Sequence, residues 1–120
     1  GEFDYYLNTP IFDNRNEEAN IEKVIWKKSD KENTVLNLNL IKDILEINKE
    51  IKTEDSESFE KIWNEIYKLA EEKGKGDVLW PLRYSLSGKE KSPDPKSLLY
   101  ILGIKESILR VDNSIIGLSK

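Results

Sequence analysis

The stretch Asp55-Ser56-Glu57-Ser58-Phe59-Glu60-Lys61-Ile62-Trp63-Asn64-Glu65-Ile66-Tyr67-Lys68-Leu69-Ala70-Glu71-Glu72-Lys73-Gly74 decides the fold class. Phe59, Ile62, Trp63, Ile66, Tyr67, Leu69 and Ala70 recur at three- and four-residue steps, which places them on one face of an α-helix. The polar run Thr53 to Ser58 ahead of them reads as a linker that ends in an N-cap, with Asp55 or Ser56 as the capping residue. Its acids lie where a helix dipole favours negative charge. Gly74 closes the pattern as a C-terminal stop.

Helical signals continue on both sides. Upstream, Ser29-Asp30-Lys31-Glu32 has the spacing of a capping box with Ser29 as N-cap. Val35, Leu36, Leu38, Leu40, Ile41, Ile44, Leu45 and Ile47 follow, and a helix is predicted to about Lys49. Leu36, Leu38 and Leu40 also alternate as in a strand, but the capping box and the length favour the helix. Residues 17–28 read as a short helix, after an irregular opening with turn chemistry at Asn8-Thr9-Pro10 and Asp13-Asn14-Arg15-Asn16.

Downstream, Asp77 is expected to cap a helix through Val78, Leu79, Trp80, Leu82, Tyr84 and Leu86, ending at Gly88 with Pro81 near the first turn. Ser92-Pro93-Asp94-Pro95 is a rigid turn. Asp94 as N-cap and Pro95 at the first helical position start a helix that Gly103 stops after Leu102. A last helix covers residues 105–116 on Ile108, Leu109, Val111, Ile115 and Ile116. The expected fold is all-α, a compact bundle of five or six short helices, with residues 1–52 as an N-terminal part and 53–120 as a C-terminal subdomain.

Composition narrows the chemistry. The 120 residues suffice for one compact domain, or two small lobes sharing a core. Cysteine and histidine are both absent, which excludes a disulfide framework, a thiolate zinc site, a His-ligated metal and a Cys–His or Ser–His nucleophile pair. A net charge of −4 excludes a broad basic coat for gripping duplex nucleic acid. No window approaches the ~20 apolar residues that span a bilayer. No charged-then-apolar leader opens the chain, so no membrane partner and a cytoplasmic location are expected. Gly1-Glu2-Phe3 reads as a cloning remnant.

The charge is unevenly spread. Residues 73–96 hold six cations and three anions, +3, while the rest of the chain carries −7. The same segment holds Trp80, Tyr84 and three of the four prolines. Cations beside a flat ring and a rigid turn suit phosphates and unstacked bases. From the residues alone the commoner reading is a solvated lysine loop, with Trp80 in the core and Arg83 paired to a helix acid, and RNA binding is the minority one.

Residues 76–103 resemble the C-terminal end of bacterial-type glutamyl-tRNA synthetases. The matching motifs are Pro81-Leu82-Arg83, Ser87-Gly88, Ser92-Pro93 and Leu102-Gly103. Asp4-Tyr5-Tyr6-Leu7 is similar to an aromatic lead-in segment of that family, and Ile25-Trp26-Lys27-Lys28 to a motif shortly after it. The resemblance implies an all-helical anticodon-binding domain that grips the anticodon loop of tRNA(Glu). It implies that Arg83 approaches the anticodon bases, that Trp80 stacks beside them, and that Ser92 and Pro93 lie against the loop. It places Pro95 near the third anticodon base. Lys96 stands where a large apolar residue is common, and would add a phosphate contact. Ile104 interrupts the usual Leu-Gly-Lys, which bears on the packing of the last helix. Lys89 and Lys91 would supply salt-sensitive phosphate attraction.

The resemblance also implies that this region is not itself the enzyme. The family's ATP motifs, one rich in histidine and one containing methionine, have no counterpart in a chain without either residue. No cofactor is expected here, ATP and Mg belonging to a catalytic domain of the parent joined in cis. A monomer is expected. The alternative is a helical protein-interaction or bracing domain without RNA contact, for which the acidic remainder is the feature.

Overall fold

The computed structural model describes residues 21–27, 29–89 and 91–119. The lead-in segment 4–7, residues 17–20 of the first expected helix and Lys28 lie outside these. Among the described residues, a 3₁₀ turn at Glu22–Val24 precedes five α-helices: α1 Lys31–Ile47, α2 Ser56–Lys73, α3 Lys75–Ser87, α4 Pro95–Leu102 and α5 Ile104–Leu118. The all-α bundle is as expected. In the described part of 17–28, Ile21 is helical and the 3₁₀ turn follows it directly.

α3 is the hub. It packs against α1, α2, α4, α5 and the 3₁₀ turn, and α1 lies along α5. The core joins Val24, Leu38, Ile41 and Leu45 to Ile62, Ile66, Val78, Leu82, Leu86, Leu98, Leu99 and Val111. A fully buried aliphatic side chain is stabilised by about 1.5–3 kcal/mol relative to an exposed one. Ile104 is buried in this core, so the departure from Leu-Gly-Lys opens α5 without a packing defect.

Two helix junctions are single glycines. Gly74 (φ +111°) and Gly103 (φ +84°) each end one helix and begin the next. The Gly74 amide donates to the Ala70 carbonyl at 2.9 Å, and its own carbonyl accepts from Val78 at 3.1 Å. The Gly103 amide donates to Leu99 at 2.9 Å, and its carbonyl accepts from Ser107 at 3.1 Å. The positive φ strains any residue with a Cβ, so glycine at both joints is a backbone requirement.

Three local expectations are corrected. The N-cap of α1 is Asp30, not Ser29: the Asp30 carboxylate accepts from the Asn33 amide at 2.8 Å. An ionised acceptor competes better than a hydroxyl for a helix N-terminus. Ser29 instead closes a turn, its amide donating to the Trp26 carbonyl at 2.8 Å. At α2, Asp55 is the cap.

The second correction is at α3, which starts at Lys75 from the Gly74 joint, so Asp77 sits inside the first turn and does not cap it. The third follows: Pro81 lies mid-helix. An interior proline removes the hydrogen bond to the carbonyl four residues back and costs about 3 kcal/mol. That carbonyl belongs to Asp77, and the buried Asn37 of α1 donates its side-chain amide to it at 3.2 Å. A neighbouring helix thus supplies the donor that the proline lacks.

Candidate functional site

The site grows from the C-terminal half of α3 and the turn that leads to α4. α3 ends at Gly88, whose amide donates to the Tyr84 carbonyl at 2.7 Å. Ser87 then ties down Lys89: its hydroxyl lies 3.0 Å from the Lys89 carbonyl and 3.1 Å from the Lys89 amide. At the far side of the turn, the Asp94 carboxylate caps α4 by accepting from the Ser97 amide at 3.2 Å and hydroxyl at 2.7 Å. Partial burial pushes the Asp94 carboxyl up. Hydrogen bonds from the Ser97 hydroxyl and from backbone amides outweigh it and hold the group below its ordinary 3.8.

Arg83 bridges the two sides. Its Nε donates to the Ser92 hydroxyl at 2.9 Å and one terminal nitrogen donates to the Ser92 carbonyl at 3.0 Å. The guanidinium therefore faces the turn, not the helical interior. It also stands 6.0 Å from the centroid of the Trp80 ring, within cation–π range. A planar fork can do all three at once; an ammonium cannot.

Trp80 is half-buried and held on three sides. Its indole N–H donates to the Lys23 carbonyl at 2.7 Å. Its ring is stacked on Tyr84 at 6.3 Å and tilted 52° to Trp26 at 5.6 Å. The indole edge is thus engaged. Trp26 in turn packs closely on α3 at Gly76, where an added Cβ would come within 2.4 Å of the indole.

The structure thus brings Trp80, Arg83, Ser92 and Lys91 together, with Pro93 half-buried in the same turn and Lys89 at its start. Pro95 is buried at the first position of α4, a structural setting. Lys96 points the other way and pairs with Glu60 of α2 at 2.7 Å. Trp26, Lys23 and Lys27 flank the site without having been expected there. Their signal in the sequence was a tryptophan set among lysines ahead of the first capping residue, which periodicity alone places in a helix. Among the described residues, no group of three or more His, Cys, Asp or Glu side chains could hold a metal ion. No helix of the described residues is long and apolar enough to cross a membrane.

A family model described as "Anticodon binding domain" matches residues 4–115. The chain belongs to that anticodon-binding domain family. Comparison with curated proteins and with solved structures finds no match. Unpaired anticodon bases offer flat faces and a flexible phosphate chain, and such faces are held by stacking and by guanidinium groups.

Proposed function

We propose that this domain binds the anticodon loop of tRNA(Glu), as the C-terminal part of a bacterial-type glutamyl-tRNA synthetase whose catalytic domain, with its ATP and Mg, lies elsewhere in the parent chain. The observation that carries the reading is the Arg83–Ser92 bridge beside the Trp80 ring. It joins two of the matched motifs, Pro81-Leu82-Arg83 and Ser92-Pro93, into one corner. In this reading Trp80 offers a stacking face and Arg83 holds the Ser92-Pro93 turn in place. Lys89 and Lys91 draw the phosphates, and Pro93 and Pro95 stiffen the bend so that little ordering entropy is lost on binding. Lys96 is already paired with Glu60, whose charge offsets its attraction for a phosphate.

The test is a titration of the domain with anticodon stem-loops bearing Glu or Gln anticodons. Chemical shifts of Trp80, Arg83 and residues 91–95 are expected to move, with the Glu loop bound more tightly. Arg83→Ala is expected to weaken binding while circular dichroism stays helical. Uniform small shifts over the whole surface, or none at millimolar RNA, would overturn the reading.

A further inference from the structure

Next to Trp80 the surface opens into a groove of about 620 Å³ lined by Lys23, Ile25, Trp26, Lys27, Trp80 and Lys91. It lies between the segment around the 3₁₀ turn and α3, with Lys91 reaching in from the α3–α4 turn. The volume falls in the range of clefts that hold small molecules, roughly 300–1,000 Å³. None of its described lining residues is acidic. Lys23, Lys27 and Lys91 are exposed, and Lys27 stands 5.8 Å from the Trp26 ring centroid.

The walls carry the argument. Two indole rings 5.6 Å apart and inclined at 52° form an open wedge. The Trp80 N–H is already bonded to the Lys23 carbonyl, so its edge is engaged, and only the ring surface that Tyr84 and Arg83 leave uncovered can meet a base. Trp26 is kept in place by the Gly76 contact beneath it and by the Ser29 turn after it. A preset aromatic wedge rimmed by lysines is complementary to an unstacked base with a phosphate on either side. A duplex keeps its bases inside the stack and cannot reach such a wedge.

Resting on the RNA-binding reading above, we infer that the Trp26–Trp80 groove is a second nucleotide subsite: one flipped-out base lies against Trp26, and its flanking phosphates meet Lys27 and Lys91. The strand would then run from the Arg83–Ser92 corner across Trp80 into the groove.

The experiment uses the 120-residue chain labelled with 5-fluorotryptophan, so that Trp26, Trp63 and Trp80 each report by fluorine NMR. The probe is an RNA hairpin carrying the tRNA(Glu) anticodon loop, with a blunt RNA duplex as control. The hairpin is expected to move the Trp26 and Trp80 resonances and leave Trp63 in place; the duplex is expected to move neither. Lys27→Ala, at an exposed position, should weaken hairpin binding severalfold at low salt. It should also lower the slope of log K against log salt by about 0.7, one phosphate contact on a single strand. If Trp80 and residues 91–95 shift while Trp26 and the Lys27→Ala slope do not, the subsite is refuted and the anticodon reading stands. If nothing shifts, both fail. Equal Trp26 shifts with a polyglutamate peptide would assign the groove to acidic chains and also overturn the proposal.

Discussion

The seam where α1 meets α3 and α5 and the corner where α3 turns into α4 are both held by side chains that donate to carbonyls, with opposite results. In the seam, Asn37 donates to Asp77, and Arg110 donates to Leu86 at 2.7 Å while its Nε meets Glu106 at 2.9 Å. Arg110 is only 3% exposed, and it meets the carbonyl end of α3, where a helix favours a cation. In the corner, Arg83 donates to Ser92 and Trp80 to Lys23, yet both side chains remain half-exposed. The seam uses such bonds to offset the cost of burying polar groups. The corner uses them to keep rings and cations at the surface in one geometry. The same local chemistry thus builds a core in one place and an exposed aromatic, cationic corner in the other.

The comparison is broken most sharply by changing one aromatic on each side of the molecule. Trp80→Ala should reduce hairpin affinity roughly 5- to 150-fold, the range for losing one stacked base. Trp63→Ala, on α2 beside Tyr67, should leave affinity unchanged although it loosens packing. Fluorescence anisotropy on both variants separates the two. Next in size, Asn37→Ala should cost about 1–3 kcal/mol in urea unfolding, because it removes the side-chain donor to the part-buried Asp77 carbonyl. Hairpin affinity of the folded variant should not change. Pro81→Ala in the same background should recover part of the loss, since the restored amide can bond Asp77 itself.

Asp94→Ala should cost about 1 kcal/mol by removing the cap of α4. Here the pH sign is definite. The folded carboxyl titrates below its ordinary 3.8, so its stabilisation is present above that value and fades as pH falls through the lowered folded pKa. The variant should therefore approach wild-type stability in that acid window. The smallest effect is expected at Lys42 and Asp112, paired at 2.7 Å at the edge of the seam. A double-mutant cycle should give under about 1 kcal/mol, because both groups face solvent. The hydrogen bond to Asp112 raises the Lys42 pKa above 10.5, so this term persists below that value and is lost as pH rises through the raised folded pKa.

Much of the fold was legible because its punctuation is local. Asp94, Pro95 and Gly103 mark both ends of α4 by cap chemistry and backbone geometry, and the structure starts and stops there. The stripe from Phe59 to Ala70 likewise yields α2 with Asp55 as its cap. Ser29 failed because two candidate caps stood side by side and the charged one won. Pro81 failed for a non-local reason: its mid-helix place is tolerated only because Asn37, far off in sequence, faces Asp77. Of the candidate site, Arg83, Ser92 and Trp80 were readable from the order of their motifs. Trp26 and Lys27 were not, because their side-by-side position with Trp80 depends on how the 3₁₀ turn folds back onto α3.

By itself the sequence determined the helical class, most helix ends, the absence of thiol and imidazole chemistry and the cationic character of the α3–α4 turn. These follow from periodicity, capping and composition, which act over a few residues. Only the tertiary structure decided that Arg83 faces Ser92, that Lys96 turns to Glu60 and that two tryptophans distant in the chain share one wedge. Those outcomes depend on which helix faces meet. That is a property of the packed core as a whole, and no short window contains it.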